Sequence, residues 1–135
     1  MIAEMWLLFA SVILGFVHIF AQAQSMTAER GITWNTGPRD EPVPPLKGVG
    51  GRLSRALRNF LETFPLFVAA IVLAQLVNVH NALTLWGAWL YFLGRVVYLP
   101  LYAAGLPYIR SLVWTIATVG IALILAGVFA GATSR

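Results

Sequence analysis

Residues 52–65 read RLSRALRNFLETFP and lead directly into an apolar run that continues to Val77. Three arginines, an asparagine and a glutamate therefore stand at the entrance of a segment long enough to cross a bilayer. On a helix advancing ~100° per residue, Arg52, Arg55, Arg58, Asn59 and Glu62 fall within an arc of roughly 120°. They form one polar stripe. Arginines alone could snorkel to lipid phosphates and mark the membrane border. Glu62 lies about a turn deeper, where a carboxylate is costly without a partner, so an Arg55–Glu62 or Arg58–Glu62 network is expected. The stripe is either a structural ion network or a polar pocket for a zwitterionic ligand.

The rest of the chain supplies the frame. Of its 135 residues, 59% are hydrophobic and 10% charged, with a mean hydropathy of +0.80. That is too apolar for an ordinary soluble domain, and the length suits one compact unit. Four spans are expected, at about 5–24, 52–78, 82–103 and 107–132, with a polar loop at about 25–51. A core ~30 Å thick needs ~20 helical residues, which each segment reaches once its polar end is counted. The expected fold is an all-α integral membrane bundle of four transmembrane helices. The start does not read as a signal peptide, because Glu4 stands where a basic flank is usual. Six of the nine basic residues lie between Arg30 and Arg58, which puts the first loop in the cytoplasm. That basic excess borders apolar segments and does not suggest nucleic acid. The chain has no cysteine, so any thiol chemistry requires a thiol carried by a ligand. His18, in the first span, and His80, in a link, read as structural.

A second polar group lies in LGRVVYLPLYAAGLPYIRSLVW, residues 93–114. Arg95 shares one helical face with Tyr98 and Tyr102. Pro100 removes a backbone donor from that helix, and Pro107 suits the first turn of the next. Arg110 then falls in or near that first turn beside Ser111. A cation opposes the dipole there, an arrangement that makes sense if an anion binds to the guanidinium and the free backbone N–H groups together.

R-x-x-R-A-x-x-N-x-x-E-x-F-P-L-F, Arg52 to Phe67, resembles the second-helix signature of the MAPEG family, the membrane-associated proteins in eicosanoid and glutathione metabolism. The stretch from Gly94 to Ser111 resembles the third-to-fourth helix region of its synthases. Ile109-Arg110-Ser111 is similar to the prostaglandin E synthase branch. The resemblance implies a left-handed four-helix bundle and a homotrimer with glutathione at the subunit boundaries. By match to the motif, Arg55, Asn59 and Glu62 would hold the charged ends of the tripeptide, and Tyr98 and Tyr102 would add hydroxyl contacts. Arg110, aided by Ser111, would face the sulfur and serve catalysis. Arg30 would match a basic residue contributed by the neighbouring subunit, and Arg52 and Arg58 would be second contacts. Trp114 stands where some synthases have tyrosine, and Leu57 where the family has glutamine or histidine. Both departures bear on the second substrate.

The implied activity is a glutathione transferase acting on an apolar electrophile that arrives through the bilayer, by conjugation or by peroxidase or isomerase chemistry. The residues fit that ligand independently: glutathione has two carboxylates, an ammonium and a thiol, and guanidinium–carboxylate pairs give orientation. The GPRDEP loop and short helices resemble bacterial members, which implies a bacterial inner membrane. Two other classes are weighed. A non-catalytic lipid-binding or accessory member shares the motif. A small exporter would need an ionisable group near mid-span, whereas Glu4 is terminal and Glu62 sits among arginines.

Overall fold

A computed structural model describes residues 1–134. The elements are α1 (Ala3–Arg30), α2 (Ile32–Thr36), α3 (Gly48–Leu76), α4 (Ala82–Ala103) and α5 (Pro107–Thr133). All but α2 are long and apolar enough to cross a membrane. Helix α1 runs further than the expected span end at residue 24, because Met26, Ala28, Glu29 and Arg30 are strong helix formers that continue it beyond the apolar stretch. The expected loop also contains α2 and gives up its last residues to α3.

The four long helices bury one face each. On α3 that face is Ala56, Phe60, Thr63, Phe67, Ala70, Ile71 and Ala74, recurring every three to four residues. Phe67 and Ile71 join Tyr91 of α4 and Ile121 and Ile124 of α5 in the core. The outward faces carry large apolar side chains, among them Phe9, Phe16, Leu76, Trp86 and Phe129. Such a surface suits lipid.

Helices α4 and α5 touch through small residues. A Cβ on Gly120 would sit 2.5 Å from the Gly87 carbonyl oxygen and 2.8 Å from the Tyr91 nitrogen. A Cβ on Gly94 would meet the Ala117 Cβ at 2.8 Å. Without a hydrophobic drive between helices in lipid, this close backbone approach is what van der Waals packing needs.

The connections are tied down by specific bonds. Asn78 takes a left-handed conformation, φ 54°, in the α3–α4 link. Asn81 caps α4: its Oδ1 accepts from the Leu83 and Thr84 amides at 3.0 and 3.1 Å, and its own amide nitrogen donates to Thr84 Oγ1 at 2.9 Å. Its side-chain nitrogen donates to the Gly127 carbonyl at 2.9 Å, and Thr84 Oγ1 donates to Glu4 at 2.9 Å. These bonds fasten α1, α4 and α5 together at one end of the bundle. At the other end, Gly105 (φ 76°) turns the chain and Pro107 opens α5.

Candidate functional site

The polar half of α3 begins beside the α4–α5 turn. Arg52 Nε donates to the Ala103 carbonyl at 2.8 Å. A helix C-terminus leaves such carbonyls without intrahelical donors, and a cation there also suits the dipole. Arg52 thus has an intramolecular partner that its place in the motif did not foretell.

Deeper on the same helix, Asn59 meets the most deeply buried charge among the described residues. Arg95 is 1% exposed, and its Nη1 donates to Asn59 Oδ1 at 2.8 Å. Its guanidinium lies 4.4 Å from the centre of the Tyr98 ring and 5.4 Å from that of Phe60. Nε and Nη2 have no hydrogen-bond partner. Because arginine only donates, the oxygen of the Asn59 amide must face it, which leaves the Asn59 NH2 group for a ligand. His18 is packed behind this cluster, its ring stacked on Phe60 at 4.7 Å with neither nitrogen bonded. At the next level, Thr63 and Tyr91 share a hydroxyl–hydroxyl bond of 3.2 Å between α3 and α4.

Asn59 also lines a cavity of about 430 Å³ with Tyr98 and Tyr102 of α4 and Arg110, Ser111, Trp114 and Thr115 of α5. The α4 residues reach it because they recur on one helical face. The α5 residues reach it because Pro107 starts that helix at the cavity mouth. Arg110 lies 4.5 Å from the Tyr102 ring centre, and Tyr98 and Tyr102 meet edge to face at 5.5 Å. Ser111 Oγ donates to the Pro107 carbonyl at 3.1 Å, so its lone pairs remain available as acceptors. No side chain caps the α5 N-terminus, which leaves backbone donors of its first turn open beside the arginine.

The other expected site residues lie elsewhere within the single chain. Arg30, Arg55 and Arg58 line a recess of about 380 Å³ with Gln22 and Ser54. Arg30 is also tethered to the loop: Nη2 donates to the Pro44 carbonyl at 2.9 Å, and its guanidinium covers Trp34 at 4.7 Å. Arg58 and Glu62 flank a more apolar surface with Leu57 and Leu61. The expected Arg55–Glu62 or Arg58–Glu62 pair does not form among the described residues. The one acid–base contact there brings Glu4 to 3.8 Å from His80, an ion pair when the imidazole is protonated. Arg55, Arg58 and Glu62 face outward on an exposed part of the helix, so their charges stay apart instead of condensing into an internal network.

Arg95, which helical spacing places on the face of Tyr98 and Tyr102, is a site residue that the family motif does not mark. The available signal was its isolation, with no other formal charge between Glu62 and Arg110. Among the described residues no group of three or more His, Asp or Glu side chains could hold a metal.

A family model described as "MAPEG family" matches residues 7–130. No protein with a curated description matches the chain.

Proposed function

The chain belongs to the MAPEG family, and from that premise we propose that it is a membrane-embedded, glutathione-dependent transferase acting as a homotrimer on an apolar electrophile. The observation that carries this reading is the cavity in which Asn59, Tyr98, Tyr102, Arg110 and Ser111 converge from three helices. Its donors suit an anionic, thiol-bearing ligand: a guanidinium, an amide NH2, two phenol hydroxyls and the uncapped start of α5.

Glutathione supplies the thiol nucleophile that a chain without cysteine lacks. Asn59 holds a carboxylate of the tripeptide through its NH2 group. Tyr98 and Tyr102 donate their hydroxyls, which have no partner within the described chain. Arg110 stabilises the thiolate by charge and the uncapped start of α5 by its backbone dipole, while Ser111, its hydroxyl proton held by the Pro107 carbonyl, fixes that first turn. The outer faces of the helices are apolar, so the electrophile enters laterally from lipid.

Assembly follows from the same physics. Arg55, Arg58 and Glu62 are exposed on a helix apolar enough to cross a membrane. Bare contact with hydrocarbon is expensive for such groups. A second copy covering the stripe removes that penalty and lets Arg30 of one subunit, with Arg55, Arg58 and Glu62, close the site around the ligand. The basic first loop faces the cytoplasm of a bacterial cell.

The test is a glutathione-dependent thermal shift together with conjugation of a generic electrophile. Binding with turnover supports the transferase. Binding without turnover on any electrophile class supports a non-catalytic member, and neither supports an accessory subunit.

A further inference from the structure

The geometry points to the rings of Tyr98 and Tyr102 as a cation–π ladder that positions Arg110, with Tyr102 acting on it through its ring face as well as any ligand through its hydroxyl. The inference rests on the reading of Arg110 as the thiolate-stabilising group. Four side chains follow one another, two tyrosines between two arginines: Arg95, Tyr98, Tyr102, Arg110. Their successive separations are 4.4 Å, 5.5 Å and 4.5 Å.

The ladder has a fixed end and a free end. Arg95 and Tyr98 are 1% and 3% exposed, and Arg95 is further held by Asn59 at 2.8 Å. Tyr102 and Arg110 are half-buried at the cavity mouth. A buried side chain has few rotamers open to it, so order passes outward from the buried rungs to the half-buried arginine.

The ring is the single partner of the Arg110 guanidinium among the described residues: no carboxylate, carbonyl or hydroxyl accepts from it. That choice of partner has a chemical consequence. A carboxylate would orient the arginine but neutralise it and occupy its N–H groups. An aromatic face attracts the cation through the ring quadrupole and leaves the N–H groups available for an incoming anion. The arginine is thereby preorganised with its charge intact, the condition under which electrostatic stabilisation is effective.

The experiment compares Tyr102→Phe and Tyr102→Leu in the detergent-solubilised protein. Phenylalanine keeps the ring and loses the hydroxyl. It is expected to raise KM for glutathione while leaving kcat and the thiolate absorbance of the bound tripeptide near wild type. Leucine loses both, and is expected to lower kcat by about tenfold in addition, the scale of one partly desolvated cation–π contact, with the thiol titrating at higher pH. Equal kcat and equal thiolate titration in the two variants overturn the ladder while leaving the transferase reading intact. A second readout needs no ligand: the Arg110 Nε–Hε NMR signal, assigned by its loss in Arg110→Lys. It is expected to be ring-current shifted in wild type and Tyr102→Phe and to move to the free-arginine position in Tyr102→Leu. An identical signal in wild type and Tyr102→Leu refutes the ladder. If wild type forms no thiolate, the transferase reading fails and the NMR comparison still decides the ladder.

Discussion

Asn59 offers a substitution whose two effects have opposite signs. Its Oδ1 accepts from Arg95 Nη1 at 2.8 Å, and Arg95 has no carboxylate within ion-pair distance among the described residues. Asn59→Leu removes that acceptor and leaves a buried guanidinium with no polar partner. A hydrogen bond to a charged group contributes ~1.5–3 kcal/mol, and orphaning a buried charge costs at the upper end of that range. A loss of about 3 kcal/mol is therefore expected, a drop of roughly ten degrees in melting temperature. Asn59→Asp does the reverse. It places a carboxylate against the guanidinium, an attraction of about 4 kcal/mol at 4 Å in a medium of effective dielectric 20. Desolvating the new charge offsets much of this, so stability should equal or exceed wild type. Glutathione binding responds in the other direction, because the NH2 donor available to a ligand carboxylate becomes a repelling oxygen. Loss of one such bond weakens binding by about tenfold to a hundredfold. Thermal unfolding in mild detergent and calorimetric titration with glutathione measure the two effects. If Asn59→Asp unfolds as readily as Asn59→Leu, or binds glutathione as wild type does, the amide is not oriented by Arg95 and the reasoning fails.

Three further outcomes are expected. Gly87→Ala should destabilise the bundle by ~1–3 kcal/mol, because its Cβ would lie 2.9 Å from the Ile124 amide nitrogen across the α4–α5 contact; an unchanged denaturation midpoint in detergent would contradict that contact. Glu4→Ala and Thr84→Val should each lower stability, and the pair should be non-additive, since each removes one side of the 2.9 Å bond that joins α1 to α4; full additivity in the double-mutant cycle would show the bond to be absent. Glu62→Gln should weaken glutathione binding yet leave the melting temperature of the ligand-free protein unchanged, as Glu62 has no ion pair within the described chain; a large fall in ligand-free stability would mean a network does hold it.

The fold was largely legible because its signal is long-range in character. Four apolar runs punctuated by Asn81, Gly105 and Pro107 leave little choice in lipid, where every backbone group must bond internally. The α1–α3 region was less clear, since Ser25 to Arg30 is polar in composition and helical in fact. Polarity marks where the bilayer ends, and helix propensity decides where the helix ends. The site was legible as faces: Arg95, Tyr98 and Tyr102 follow from spacing on α4. Partners across helices were not. Nothing in the spacing of α3 says that Asn59 meets Arg95, that Arg52 reaches the Ala103 carbonyl, or that Thr63 meets Tyr91. Those contacts depend on helix rotation and crossing, which the closely packed glycines set. The expected Arg–Glu62 network failed for the same reason. A shared stripe fixes direction, and pairing also requires an enclosed environment, which the single chain does not give Glu62.

The central claim is that Arg110 stabilises the thiolate of bound glutathione. It is tested most directly by titrating thiolate absorbance in complexes of wild type and Arg110→Ala and measuring conjugation rates beside it. The account predicts that Arg110→Ala raises the pH at which the bound thiol ionises and cuts turnover by roughly a hundredfold or more, equivalent to ~2.7–4 kcal/mol. Affinity for glutathione should fall much less, because Asn59 and the arginines of α3 still hold the tripeptide. Arg110→Lys should recover only part of the rate, as a point charge on a flexible stem lacks the planar fork. The same thiol titration and the same rate in Arg110→Ala as in wild type would contradict the account and leave Arg110 as a lipid anchor.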